Sequence, residues 1–334
     1  MPIQKLTTTL AGILSCCIFA GCAAPPPDAR RFSFAFIGDQ QYTAIEEQQF
    51  PDLLNAIDRE DLKFVVHVGD FKAGSKAPCT TALFEKRHAE FDRSRHAFVY
   101  TPGDNDWVDC RRPGNGAFDP LERLERLRDI FFAQPQSLGR ERLALAREAD
   151  AFAADPVLSR YRENTMWTEG ENYGAGVVFL TVNIQGSNDN LGFDAASDRE
   201  HAERTRANIA WLKLAMQRAA GKDFVGLAIF LQANPGFEED PRSVQKSGYR
   251  EFLEAFEAAA VAFGKPILFA HGDTHRFRID RPYRSPLDKR PLTNITRVEC
   301  YGSPFVNWVR ITVDGRNHAQ PFIIESGNFI PGGN

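Results

Sequence analysis

The 334-residue chain has no run of Lys or Arg that stands out, and its formal net charge is −4. That argues against a general nucleic-acid binder, which needs a basic stripe for the phosphate backbone. There is no internal repeat, and the only low-complexity tract is Pro25-Pro26-Pro27. Cysteine is scarce, with six in all, and no pair has zinc-site spacing. The apolar stretch Leu10–Ala20 is too short to span a bilayer comfortably. What remains is ordinary for a globular protein: 43% hydrophobic and 25% charged residues, and enough length for one large domain or two average ones.

The amino terminus reads as a leader. Lys5 supplies a weak positive region before Leu10–Ala20, and Phe19-Ala20-Gly21-Cys22 resembles a bacterial lipoprotein signal with Cys22 as the lipidated residue. Ile13-Leu14-Ser15-Cys16 is a poorer second candidate, and an ordinary cleaved secretory signal is the alternative. The expected organisation is a signal over 1–22, a stiff Pro-rich spacer over 23–31 and a domain over 32–330. The expected location is the bacterial cell envelope, lipid-anchored and facing the periplasm or exterior, or else soluble after secretion. Export permits disulfides. Cys79 and Cys110 follow neighbouring strand ends, so a bridge between them is compatible with the sequence, with Cys300 left free.

Four apolar runs close on the same dipeptide. They are Phe32–Asp39, Phe64–Asp70, Ala97–Asp104 and Ile267–Asp273, each ending in Gly-Asp. Each reads as a buried strand whose glycine permits a sharp turn and whose carboxylate arrives at the carboxyl edge of a sheet. Four carboxylates delivered this way point to a shared metal site. Phe224–Leu231 is a further buried strand delivering Gln232 and Asn234, and Val177–Asn183 leads into the polar loop Gln185–Asn190.

The order and spacing resemble the calcineurin-like metallophosphoesterases over roughly residues 31–330. The carrying residues are Asp39-Gln40-Gln41, Gly69-Asp70, Gly103-Asp104-Asn105-Asp106, Gln232 with Asn234, and Gly272-Asp273-Thr274-His275. The resemblance implies an α/β fold of two packed mixed β-sheets flanked by helices, in four αββα layers. It also implies two divalent metals and a metal-bound hydroxide that attacks a phosphate ester. By position, Asp70 bridges the metals, Asp39, Gln41 and His275 serve the first, and Asp104, Gln232 (or Asn234) and Asp273 serve the second. Asn105 stands where the family has its leaving-group acid and cannot fill that role, since an amide has no proton to give near neutral pH. Asp106 keeps the acidic position that orients that acid, and His271 is the nearest substitute by sequence. Several family histidines are thus Asp, Asn or Gln here. The oxygen-rich set favours manganese, magnesium or calcium over iron or zinc. The extra carboxylates of Asp104 and Asp273 cancel positive charge at the second position, which favours a singly charged phosphodiester over a dianion.

Helical periodicity is expected over Glu46–Arg59, Ala82–Asp92, Arg199–Ala219 and Glu251–Phe263. Residues 107–172 form an insertion with a helix opening at Asp119-Pro120, either a cap beside the site or an excursion packed on the sheet. The strands after residue 266 are expected to form a second sheet. The partner expected is a small phosphorylated substrate. Two other readings stay open: a non-catalytic binding lipoprotein that retains the fold, and a metal-free hydrolase using paired carboxylates.

Overall fold

The computed structural model describes residues 30–236, 247–284 and 290–330. The leader, Cys22 and the proline tract lie outside them. The first sheet contains β1 (Arg31–Ile37), β2 (Phe64–His67) and β3 (Ala97–Tyr100), which run parallel. Its order is β12-β11-β1-β2-β3, with β11 (Val309–Asp314) and β12 (Phe322–Ser326) antiparallel on the β1 side. Arg31 is already in β1, opposite Asp314, so regular structure begins at the last residue of the expected spacer.

The second sheet has the order β4-β5-β6-β7-β8-β10-β9. It comprises β4 (Ala146–Arg147), β5 (Thr165–Glu169), β6 (Gly176–Thr181), β7 (Phe224–Phe230), β8 (Ile267–His271), β9 (Arg278–Asp280) and β10 (Ile295–Glu299). The late strands therefore do not make a sheet of their own. β8 and β10 extend the second sheet, while β11 and β12 return to β1.

Strand alternation explains the layers. Phe34 and Phe36 point one way along β1 and Ala35 and Ile37 the other, and all four are fully buried. Phe34 and Phe36 meet Phe179, Phe230, Leu268 and Ala270 of the second sheet in a core between the sheets. Ring stacking there includes Phe34 on Phe64 at 4.8 Å and Trp167 on Phe179 at 5.4 Å. Ala35 and Ile37 face the other way, toward α1 (Ala44–Asp58), α2 (Thr81–Phe91) and α3 (Pro120–Phe131). On the far side, α6 (Ala195–Ala219) and α7 (Arg250–Phe263) cover the second sheet through Trp211, Leu212, Phe252 and Phe256. Each large apolar side chain so buried contributes roughly 1.5–3 kcal/mol. The result is two mixed sheets flanked by helices.

The segment 107–172 packs on these layers. Phe131 and Phe132 join the core under α2 and α3, and Trp167 lies between the sheets. A buried bidentate pair, Arg128 to Glu163 at 2.8 and 2.7 Å, ties α3 to the chain entering β5. Between them, α4 (Glu148–Ala151) is a single turn. Cys79 and Cys110 form a disulfide that joins the loops leaving β2 and β3. Cys300 is free and buried.

Candidate functional site

The parallel strands β1, β2, β3, β7 and β8 bring their carboxyl ends to one edge, and Asp39, Asp70, Asp104, Gln232 and Asp273 follow them there. Asp39, Asp70, Asp273 and His275 have φ of 53°, 56°, 82° and 63°. Four non-glycine residues in the left-handed region is the kind of local strain that collects at functional sites. The preceding glycines make room for the neighbouring carboxylate. A Cβ on Gly103 would lie 2.0 Å from Asp70 Oδ1, and one on Gly272 would lie 2.0 Å from Asp39 Oδ2.

Asp39 and His275 form the most informative pair. Asp39 is fully buried, and its Oδ2 accepts the Asp273 N–H at 3.0 Å. Its Oδ1 has no hydrogen-bond partner among the described residues. His275 Nδ1 lies 2.8 Å from the Ser303 carbonyl, which can only accept, so Nδ1 carries the proton. In the neutral ring, Nε2 then presents a lone pair 3.9 Å from Asp39 Oδ1. Two acceptors facing each other across a gap too long for a hydrogen bond is an arrangement that a cation resolves.

Asp70 is more heavily engaged. Its Oδ1 accepts the Asn105 N–H at 3.0 Å, and its Oδ2 accepts Tyr42 Oη at 2.9 Å and Gln232 Nε2 at 3.3 Å. The Ser187 hydroxyl lies 2.8 Å from both Asp104 Oδ2 and Asp109 Oδ1, and its single proton can serve only one of them at a time. Asp273 Oδ2 accepts the Asn234 N–H at 2.9 Å.

The charges of this cluster are poorly balanced. Burial first, then the Asp273 carboxylate, raises Asp39 well above the usual carboxylate range. Burial and then Asp104 do the same for Asp70. Burial raises Asp104, and burial with Asp104 pushes Asp109 and Asp273 up to about 7. The countercharges are buried Lys72, whose Nζ donates to the Ala73 carbonyl at 2.9 Å, and Arg112, paired with Asp109 at 2.7 Å. With Asp106 included, six carboxyls face these two cations among the described residues, an excess of negative charge that burial makes costly.

The other predicted residues do not point into the cluster as expected, although Asn105 stays beside it. Gln41 turns to α2, where its Nε2 donates to Glu90 at 3.0 Å, and it makes no hydrogen bond to the carboxylates. Asn234 serves Asp273 through its backbone, while its Oδ1 accepts the Gly236 N–H at 3.2 Å. Asn105 Nδ2 donates to Tyr42 Oη at 2.9 Å and to the Lys72 carbonyl at 3.1 Å. Asp106 orients no histidine. It accepts from Gly103 N, Asp70 N, Tyr100 Oη and Phe71 N at 2.8–3.1 Å and so clasps the β2 and β3 loops together. His271 lies on the β8 face shared with Phe269, toward α7, with Nδ1 2.8 Å from the Gly272 carbonyl. Strand alternation thus turns it away from the face of Ala270, which looks between the sheets.

Tyr42, Lys72, Ser187 and Asp109 belong to the site and were not singled out from the sequence. Tyr42 is set by the start of α1: Thr43 caps the helix, and Glu46 Oε2 accepts the Tyr42 N–H at 2.8 Å. Ser187 had a signal in the polar loop Gln185–Asn190. Part of that loop is α5 (Gly186–Asp189), whose Ser187 and Asn188 are non-helical. Among the described residues, no group of three or more His, Cys, Asp and Glu side chains is arranged as a ready metal cage.

No protein-family model matches the chain, and no curated protein does. Similar solved structures include PhoD, at 13% identity and TM-score 0.49 over 89% of this chain and 68% of that one. A dimetal phosphatase from Danio rerio is similar at 13% identity and TM-score 0.49, over 84% of this chain and 92% of that one. A 5'-nucleotidase from Candida albicans is similar at 10% identity and TM-score 0.47, over 88% of this chain and 50% of that one. At these values the side chains, rather than the likeness, must carry any statement about chemistry.

Proposed function

We propose that the chain is a metal-dependent phosphoester hydrolase whose cation is held by Asp39, Asp70 and His275. The observation that supports this reading is the unpartnered Asp39 Oδ1 facing the Nε2 lone pair of His275 at 3.9 Å. A carbonyl that fixes Nδ1–H and leaves Nε2 open is the usual support of a metal-ligating histidine. When bound, a divalent cation supplies Lewis-acid charge to a phosphoryl oxygen and lowers the pKa of water. The oxygen-rich donors favour manganese, magnesium or calcium.

The chain's own residues set the rest. Asn105 holds the Tyr42 hydroxyl so that its proton points at Asp70. Neither Asn105 nor the clasped Asp106 protonates a leaving group, so the favoured substrates are small phosphodiesters with good leaving groups. A single negative charge is also less repelled by Asp104, Asp109 and Asp273 than a monoester dianion is.

The test is turnover of a nitrophenyl phosphodiester against an alkyl phosphate monoester, with manganese and then magnesium. The expected result is diester cleavage that is lost in Asp70→Asn and His275→Ala. A folded protein that binds metal and turns over neither substrate would favour the binding-protein reading. For location we propose a lipid anchor on Cys22. Cys22→Ser is expected to leave the membrane fraction, and retention through a carbonate wash would refute the anchor.

A further inference from the structure

Gln232 follows β7 and is fully buried. Its Oε1 accepts the Gly186 N–H at 2.6 Å, which turns Nε2 toward the carboxylates. Nε2 donates to Asp70 Oδ2 at 3.3 Å. The amide cannot be exchanged end for end. That would set N–H against N–H at Gly186 and an oxygen against the Asp70 carboxylate.

The clamp on this amide is stiff. Gly186 opens a run in which Ser187, Asn188, Asp189 and Asn190 all have φ between 50° and 65°. Left-handed backbone costs non-glycine residues about 1–2 kcal/mol each, so the run persists only because it is pinned. Ser187 Oγ sits between Asp104 and Asp109 and donates to one of them, Asn188 Oδ1 accepts the Gly248 N–H at 2.8 Å, and Arg204 Nη1 reaches Asp189 at 2.6 Å.

We propose that the Gln232 carboxamide takes the place of a second cation, so that the centre binds one divalent ion rather than two. The inference rests on the metal-dependent reading of the site. The position that would serve a second ion presents donors rather than a ligand. Gln232 turns Nε2, which has no lone pair to give, to Asp70 Oδ2, and its Oε1 is taken up by the Gly186 N–H. Tyr42 Oη donates to the same Asp70 oxygen. Asp39 Oδ1, on the His275 side, has no hydrogen-bond partner among the described residues. The N–H dipoles of a fixed amide supply part of the positive potential that the buried Asp70 carboxylate requires, without an ion.

The experiment is equilibrium dialysis of the full-length protein against Mn²⁺ and, separately, Zn²⁺, with metal counted per chain by mass spectrometry. One ion per chain is expected. The count should stay at one in Asp104→Asn, fall to zero in Asp39→Asn and rise to two in Gln232→His. Two ions on the parent protein, or a folded Gln232→His that still holds one, overturns the inference and leaves the metal site standing. No ion on the parent protein overturns both. If Gln232→His does not fold, the parent and Asp104→Asn counts decide the matter.

Discussion

Replacing Asp106 by Ala removes the acceptor that joins two loops of the site. Asp106 is fully buried and takes four hydrogen bonds, three from backbone N–H groups and one from Tyr100. Each donor left unsatisfied costs about 1–3 kcal/mol, a gross loss of roughly 4–12 kcal/mol. Against this, burial raises the Asp106 carboxyl from 3.8 to about 6. Removing it relieves about 3 kcal/mol at pH 8, because one pKa unit corresponds to 1.36 kcal/mol. With water entering the vacated space, a net loss near 4 kcal/mol is expected. The pH dependence has a definite sign. A carboxyl with a raised folded pKa binds its proton more tightly when folded, so the parent gains stability as pH falls through about 6 toward 3.8. The alanine variant lacks this gain, and the gap should widen by about 1–2 kcal/mol between pH 8 and pH 5. Urea unfolding followed by circular dichroism at both pH values measures it. A variant within about 1 kcal/mol of the parent, or a gap that narrows at pH 5, would refute the clasp.

Two further outcomes are expected. The Cys79–Cys110 bridge closes a loop with sequence separation 31, so Cys79→Ser with Cys110→Ser should cost about 3–4 kcal/mol in chain entropy, and an unchanged unfolding midpoint would contradict that. Burial raises Glu148 from 4.5 to about 8, opposed by a hydrogen bond from Asn164. The parent therefore loses stability as pH rises from 4.5 to 8. Glu148→Gln should be neutral near pH 4.5 and stabilising by up to about 5 kcal/mol at pH 8, and destabilisation at pH 8 would sink the argument.

The Gly-Asp strand ends were legible because each is local: an apolar run, a glycine without a Cβ, then a carboxylate. So were α1, α2, α3, α6 and α7, where periodicity and end signals such as Asp119-Pro120 and Gly264 agree. The partition of strands between sheets was not legible. Nothing near Val309–Asp314 says that it returns to β1, since that pairing spans almost the whole chain. The side-chain environment was half legible. Position relative to a strand end anticipated that Asp39, Asp70, Asp104, Gln232, Asp273 and His275 gather at one edge. It also suggested Gln41 and His271, whose directions are set by Glu90 on α2 and by alternation along β8. Tyr42, Lys72, Ser187 and Asp109 reach the cluster through loop conformations that no spacing rule encodes.

The central claim is that Asp39 and His275 face one another to hold a cation. Crystals of the protein soaked in Mn²⁺ and measured for anomalous scattering test it directly. The account predicts a peak within coordination distance of both Asp39 Oδ1 and His275 Nε2, with Nδ1 still on the Ser303 carbonyl. No peak there at saturating Mn²⁺, with the two side chains unmoved, would contradict it.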